Sequence, residues 1–298
     1  MKQGIHPRAG LSSQELEGVR TLWETCNHHD GIDIKLNWGT LSSRPPGITN
    51  DFLYYENDVI VGFLAIYSFL STEVEISGMV HPAARRMGIF SALAQAAVAE
   101  CRRRHVPKLI WINERGSASG KAFLTQLGAA YAYSEYVMEL RDDVQAASDA
   151  AAPADATIAL RPAVQADAEL LVALNAAGFG MPEADAREYV AQTLEGDRER
   201  TWIAELGEAR TPIGKIGAML DPAERRGFIY GFCVAPPFRG QGYGRRILGA
   251  TIALLKEREQ MAHVKLEVSV ENEGALGLYE SCGFRTTSAN DYYVWMVG

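Results

Sequence analysis

Cysteine is scarce in this sequence, and what there is lies scattered. The four residues, Cys26, Cys101, Cys233 and Cys282, fall far apart in the chain. None forms a C-x-x-C pair or stands at metal-ligand spacing with a histidine, which excludes a zinc-ribbon or disulfide-framework scaffold. No metal is expected, and a reducing, cytoplasmic setting is. Positive charge is in deficit: 29 Lys and Arg stand against 37 Asp and Glu, for a formal net charge of −8. A general nucleic-acid binder shows the opposite balance, and an anionic membrane surface repels such a chain, so neither partner is expected. No apolar run approaches the roughly 20 residues that span a bilayer. Residues 1–9 lack the apolar centre of a secretion signal.

What is present is ordinary globular material. A chain of 298 residues, 47% hydrophobic and 22% charged, suits two domains, each large enough for its own core. Residues 142–157, rich in Ala and Asp and almost without large apolar side chains, read as a linker between an N-terminal domain at 1–141 and a C-terminal domain at 158–298. The same elements are expected in the same order on both sides. A hairpin at 52–67 and another at 202–220 lead into strands at 74–80 and 228–234. Each strand runs into a glycine-bearing turn and a helix, at 90–103 and from about 245 to 260. A strand, a helix and a closing strand come next in both halves, the closing strands at 136–140 and 292–297. Landmarks correspond: Gly62 with Gly214, Val80 with Val234, Arg85 with Arg239, Gly88 with Gly242, Gly128 with Gly283. The pattern is that of an internal duplication. The expected fold class is α/β, a mixed sheet with helices on both faces, built twice. At the first helix, Ser12 and Glu15 have the spacing of a capping box.

One stretch organises the second half: Val234-Ala235-Pro236-Pro237-Phe238-Arg239-Gly240-Gln241-Gly242-Tyr243-Gly244-Arg245. An apolar strand meets a Pro-Pro break, then a glycine-dense turn, then an amphipathic helix. Glycines permit positive φ and close backbone approach. Their N–H groups and those of the first helical turn form a nest for anionic oxygens. The spacing is neither G-x-G-x-x-G nor a Walker A loop. Taken alone, the stretch reads equally well as a plain strand-to-helix turn. The first half differs at telling positions: Arg86 replaces Gly240, Phe90 replaces Gly244, Ser117 replaces Asn272 and Leu124 replaces Tyr279.

Further on comes Asn272-Glu273-Gly274-Ala275-Leu276-Gly277-Leu278-Tyr279, ending in Gly283-Phe284. Arg239-x-x-Gly242-x-Gly244 with N-x-x-A-x-x-L-Y-x-x-x-G-F after it resembles the two signatures of the GNAT superfamily of N-acetyltransferases. Leu160-Arg161-Pro162-Ala163 is similar to the opening of its domains. The resemblance implies the acyl-CoA N-acyltransferase fold in tandem, complete in the C-terminal half and degenerate in the N-terminal half. It implies acetyl-CoA as co-substrate, with its pyrophosphate on Arg239, Gly240, Gln241, Gly242, Tyr243, Gly244 and Arg245. The pantetheine arm would run along Cys233 and Val234, whose backbone N–H polarises the thioester, with Asn272 holding the arm or the strand gap. Tyr279 would give a proton to the departing thiolate.

An acceptor amine must lose a proton before it attacks. Glu267 is the candidate base, a single carboxylate in the apolar strand Leu266-Glu267-Val268. A strand half open to water would leave Glu267 merely solvated, and the sequence leaves both readings open. Tyr230 and Glu271 are weaker candidates. Cys233 has no histidine partner in the motif, which argues against an acyl-cysteine route. The activity expected is N-acetylation of a small-molecule or peptide amine by direct attack in a ternary complex, in the C-terminal domain of a monomer or homodimer. The alternative is a non-catalytic acyl-CoA-binding sensor or interaction module.

Overall fold

The computed structural model describes residues 1–68, 72–141, 157–195 and 199–297. Apart from Thr157, the expected linker at 142–157 lies outside the described residues. The chain forms two compact units, Met1–Ser134 with Ser288–Gly298, and Glu135–Thr287. Each is a mixed sheet with helices on both faces, so the expected fold class holds in both.

In the first unit, β1 (Gly4–Arg8), β2 (Asp51–Glu56), β3 (Val59–Tyr67) and β4 (Glu73–Val80) pair antiparallel in that order. The fifth strand, β5 (Lys108–Glu114), joins β4 in parallel. Helices α1 (Ser13–Asp30), α2 (Trp38–Ser42), α3 (Ile89–Arg103) and α4 (Ala118–Leu127) complete it. Strand alternation sorts the core into two layers. Leu64, Ile66, Ile76, Leu109 and Trp111 pack against Leu93 of α3 and Leu124 of α4. Leu53, Phe63, Ala65 and Met79 pack against Val19, Leu22 and Cys26 of α1.

The second unit repeats the plan. Strands β7 (Ile158–Pro162), β8 (Glu199–Leu206), β9 (Thr211–Asp221) and β10 (Arg226–Val234) are antiparallel neighbours, and β11 (His263–Ser269) joins β10 in parallel. Helices α5 (Ala168–Phe179) and α6 (Glu183–Glu195) bury Leu171, Val172, Ala186 and Val190 against Ile203. On the other face, α7 (Tyr243–Ala253) and α8 (Glu273–Ser281) bury Ile247, Leu248 and Tyr279 against Ile216, Ile229, Leu266 and Val268.

Two strands run longer than their apolar pattern indicates. Strand β6 covers Ala130–Leu140 and β12 covers Phe284–Met296. Their far ends belong to units other than those a linear division suggests. The 135–139 part of β6 pairs antiparallel with β11, and the 290–296 part of β12 pairs antiparallel with β5. Each unit is thus closed by a strand from the opposite half of the sequence, which is why its boundaries fall within strands.

Both units fix the first helix in the same way. Ser12 caps α1 as the sequence spacing indicated: Glu15 N–H donates to Ser12 Oγ at 3.2 Å, and Ser12 N–H donates to Glu15 Oε2 at 3.0 Å. Arg8, at the end of β1, donates from Nε to Glu15 Oε1 at 2.8 Å. In the second unit Arg161 of β7 donates to Asp167 at 2.8 and 3.0 Å and to Glu205 at 2.8 Å. Burial pushes the Glu15 carboxyl up, but the Ser12 and Arg8 donors outweigh it and hold the group down at about 2. A carboxyl lower in the folded than in the unfolded chain stabilises the fold above its ordinary titration range, and that stability disappears as pH falls toward 2. Thermal melts between pH 6 and pH 2 should therefore show a steeper acid loss for the native chain than for Glu15→Gln. The variant should start less stable and flatten the acid limb.

Candidate active site

The site begins where two strands part. Strands β10 and β11 pair in parallel from Arg226/His263 to Ile229/Leu266, and there the pairing stops. Both strands run on, to Val234 and Ser269, without further pairing to each other. On its other side β10 is irregular as well. Its register with β9 shifts by one residue between Tyr230 and Cys233, so that Gly231 and Phe232 together face Ile216. Such a bulge bends its strand and re-aims the residues beyond it. Gly231 has φ of 56°, a left-handed conformation that glycine adopts without strain. Strands β4 and β5 of the first unit also part, after Ile76/Trp111. There β4 keeps an unbroken register with β3, from Gly62/Val80 to Tyr67/Glu75, and has no bulge.

After Val234 the chain makes one 3₁₀ turn at Pro236–Phe238 and enters α7 at Gly242, whose φ is 81°. Among the described residues, no side chain caps this helix end. The first N–H groups of a helix have no intrahelical acceptor and carry the positive end of its dipole. Gly244 faces the start of the gap. A Cβ there would lie 3.3 Å from Leu278 Cδ2, 3.8 Å from Val234 Cγ2 and 3.9 Å from Phe232 Cζ. In the first unit Phe90 and Phe123, the counterparts of Gly244 and Leu278, meet edge-on with centroids 4.7 Å apart. The same corner holds a glycine packed close to Leu278 in one unit and an aromatic pair in the other.

Several residues assigned to the loop by sequence serve its architecture. Arg239 donates from Nε to Val234 O at 2.8 Å and from Nη2 to Ala177 O at 3.1 Å, tying the strand end to the last turn of α5. Its counterpart Arg85 does the same, donating to Val80 O at 3.0 Å and to both carboxylate oxygens of Asp30 at 2.9 and 2.7 Å. Gln241 donates back to Pro237 O at 2.9 Å. Tyr243 is buried and packs edge-on against Phe238. Asn272 caps α8, its Oδ1 accepting from Ala275 N–H at 3.1 Å, as Ser117 caps α4 by accepting from Gly120 N–H. Arg245 is half-buried and, among the described residues, makes no hydrogen bond or ion pair, so its guanidinium remains available beside the helix end.

Cys233 points away from α7. Its Sγ donates to Leu174 O of α5 at 3.5 Å, and Gly178 comes so near that a Cβ there would sit 2.8 Å from Cys233 Cβ. Burial pushes the thiol up, which keeps it protonated and a poor nucleophile. Tyr279 is 9% exposed on the opposite face, its ring edge-on to Phe284. Burial raises its phenol to about 12. Glu267 is half-buried on β11, one step past the last β10 partner and opposite Val137. Alternation puts it on the face away from Leu266, Val268 and Tyr279. Gly244 lies close to Val234 at the strand end, Cys233 turns its thiol to α5, and Glu267 and Tyr279 lie on different faces.

One residue escapes the sequence reading. Lys215 of β9 is 3% exposed, stacked over the rings of Phe179 at 5.3 Å and Tyr189 at 5.7 Å. Burial lowers its ammonium to about 8. The available signal was a single lysine inside Ile213-Gly214-Lys215-Ile216-Gly217-Ala218, which reads only as a strand. Nearby, Tyr230 donates to Glu199 Oε2 at 3.0 Å, and burial pushes its phenol far up. Among the described residues, no group of three or more His, Cys, Asp or Glu comes together as a metal site, and no helix is long and apolar enough to cross a membrane.

Residues 15–128 and 169–284 match the acetyltransferase (GNAT) family, and the chain belongs to it. The chain is 27% identical to a mycothiol acetyltransferase of Propionibacterium freudenreichii subsp. shermanii, over 96% of this chain and 91% of that one. It is 29% identical to a mycothiol acetyltransferase of Salinispora arenicola, over 95% of this chain and 94% of that one. Among solved structures, a GCN5-related N-acetyltransferase from Sphaerobacter thermophilus superposes with a TM-score of 0.79 at 18% identity, covering 98% of this chain and 96% of the other. A tandem GNAT protein from the clavulanic acid biosynthesis pathway superposes with a TM-score of 0.73 at 16% identity, covering 99% and 98%. At those identities the two structures share the fold.

The role of the bare glycine at 244 can be tested by giving it the first unit's side chains. The double variant Gly244→Phe/Leu278→Phe carries the first unit's aromatic pair into the second. It should fold, with a melting temperature within a few degrees of the parent, and its affinity for acetyl-CoA by calorimetry should fall at least about tenfold, the loss of ~1.4 kcal/mol of binding.

Proposed function

We propose that the second unit transfers an acetyl group from acetyl-CoA to a small-molecule amine, by direct attack while both are bound. The observation that carries this reading is the coincidence of four features in one unit. They are the parted strands, the bulge at Gly231, the uncapped start of α7 and the bare Gly244 beside it. The first unit keeps the parted strands and an uncapped helix start at Gly88 but lacks the bulge and fills the corner with Phe90 and Phe123. We assign it a supporting role.

The residues present fit acetyl-CoA. Backbone N–H groups at 242–245 and the Arg245 guanidinium offer donors to a diphosphate. The unpaired edge of β10 beyond Ile229 can receive the amide-bearing arm as a strand receives a strand. The donor supplies an activated acyl carbon. An N–H at Cys233 or Val234 stabilises charge building on the acyl oxygen. Tyr279 holds its proton at neutral pH and passes it to the departing sulfur. Arg239 and Asn272 keep the loop and α8 in place around these groups.

The acceptor reading comes from the relatives. Those compared above are named for mycothiol, and alignment with them runs through both halves of this chain. We propose an acceptor of that kind, the amine precursor of a mycothiol-type thiol. Incubation with acetyl-CoA and a panel of amines, following release of free CoA thiol, tests it. The precursor should turn over with the highest kcat/KM. No release with any amine, together with tight acetyl-CoA binding, would favour an acyl-CoA sensor instead. Tyr279→Phe should lower kcat by about 10²-fold or more and leave the KM for acetyl-CoA within a few-fold.

A further inference from the structure

We propose that Lys215 takes the proton from the acceptor's ammonium and is the general base of the second unit. The proposal rests on the reading that acetyl transfer takes place there. It starts from register. Lys215 is the direct partner of Cys233 across β9 and β10, immediately beside the bulge. Paired residues share a face, so Lys215 lies on the α5/α6 side together with the Cys233 thiol. Its Nζ converges on the bulge: a Cβ at Gly231 would be 3.1 Å from Lys215 Nζ and 3.6 Å from the Tyr189 hydroxyl. A side chain at position 231 would therefore press on both groups, and glycine leaves that space open.

The environment makes this lysine unlike a structural one. A buried ammonium is ordinarily paired with a carboxylate. Among the described residues, Lys215 Nζ donates no hydrogen bond and meets no carboxylate, and its partners are two aromatic faces. The titratable groups around it come from three elements. They are Tyr189 of α6, Tyr230 and Cys233 of β10, and Glu199 of β8, which accepts from Tyr230. Arg239, just past the end of β10, is held by carbonyl oxygens. The Cys233 thiol is the one group whose charge favours the ammonium form, and burial keeps that thiol neutral. With water excluded and no anion beside it, the amine is easier to deprotonate than a solvated lysine, as a base working near neutrality needs. The first unit shows the same position without this task. There the counterpart of Lys215 is Phe63, fully buried, and β4, the counterpart of β10, has no bulge against its strand. Lysine and bulge occur together or not at all.

The step balances. The Nζ lone pair takes one proton of the acceptor ammonium, and that N–H electron pair stays on the acceptor nitrogen. The free amine bonds to the acyl carbon, and the carbon–sulfur bond breaks with its pair on sulfur. Tyr279 gives its proton to sulfur and regains one from the nitrogen. Lys215 returns its proton to water, so one proton is released per turnover of an ammonium acceptor.

The test uses the full chain, acetyl-CoA, and the panel amine with the highest kcat/KM. In the native protein kcat/KM should rise with pH and level off as pH passes about 8, where Lys215 loses its proton. Lys215→Arg keeps the charge but cannot act as base. It should lose on the order of 10²-fold in kcat, keep its acetyl-CoA affinity, and shift the pH limb to that of the free amine. Lys215→Met should lose as much. An Arg variant within about threefold of native, with Met strongly impaired, would show that only the positive charge matters and would overturn the proposal. Should no amine turn over, the acetyl-transfer reading fails and the base role with it; where one does, the titration of Lys215 itself is the second test. Followed by ¹⁵N-lysine NMR and assigned through Lys215→Arg, a midpoint near 8 supports the proposal, and one near the ordinary lysine value of about 10.4 overturns it.

Discussion

The second unit is governed by a single surplus residue in one strand. Strands β10 and β11 part after Ile229/Leu266 as β4 and β5 part after Ile76/Trp111, so the gap itself is common scaffold, and so is the uncapped helix start beyond it. The residue inserted at Gly231 bends the end of β10 within that gap. The backbone of 230–234 has no neighbour on one side and can accept a strand-like ligand. The face toward α5 and α6 gains an opening at Gly231 into which Lys215 and Tyr189 converge. A sheet so interrupted gives up ladder hydrogen bonds worth about 0.5–1.5 kcal/mol each. Arg239 offsets some of that by fastening the loosened strand end to α5 through two carbonyls.

The first unit serves as an internal control. Features common to both units belong to the scaffold, and those in only one point to chemistry. Arg85 and Arg239 bind the terminal carbonyl of their strands in both, so this arginine builds the loop. Ser117 and Asn272 cap equivalent helices in both, so this position fixes a helix start, where a cap is worth about 1 kcal/mol. The bulge, Gly244, Tyr279 and Lys215 are peculiar to the second unit. Their counterparts in the first are a regular strand, Phe90, Leu124 and Phe63. The exchanges at Tyr279 and Lys215 replace a polar group with apolar volume, which is how an unused gap closes into core.

Much of this was legible in the sequence because it lies in local pattern. The duplication, the order of elements, the glycine turn and the helix carrying Tyr279 all declare themselves by spacing over a few residues. The Ser12/Glu15 cap did so as well. What escaped depends on partners distant in sequence. The bulge is a relation between β9 and β10, and nothing in Tyr230-Gly231-Phe232-Cys233 alone states it. The exchange of closing strands depends on which edge each strand reaches, and the apolar pattern of 136–140 suits either edge. Strand β1, Gly-Ile-His-Pro-Arg, carries almost no apolar signal and forms because β2 offers it an edge. The burial of Lys215 comes from aromatic residues on α5 and α6, dozens of positions away. Arg239 also fastens the strand end to α5 through two carbonyls, a contact its sequence context does not state.

Burial places Tyr279 and Lys215 on opposite sides of the proton balance, and this constrains the proposed reaction. A phenol near 12 is a weaker acid than a free thiol, whose ordinary value is about 8.5. Tyr279 therefore cannot protonate a departing thiolate downhill on its own. It can do so as a conduit, if its proton is replaced at once from the nitrogen, which becomes strongly acidic on bonding to the acyl carbon. Such an exchange leaves Tyr279 unchanged and moves no net charge across the apolar layer of Leu248, Val268 and Phe284 that surrounds it. The first deprotonation of the acceptor is a different matter. It must leave a proton on the protein before the nitrogen can attack, and a buried phenolate has no part in that. It needs a basic group separate from that phenol. Lys215 and Glu267 both lie on the face away from Tyr279, and the lysine sits at the bulge itself. Separating the two proton movements onto two faces lets one phenol stay dry while a second group titrates near neutrality, a division that a single residue in this gap could not sustain.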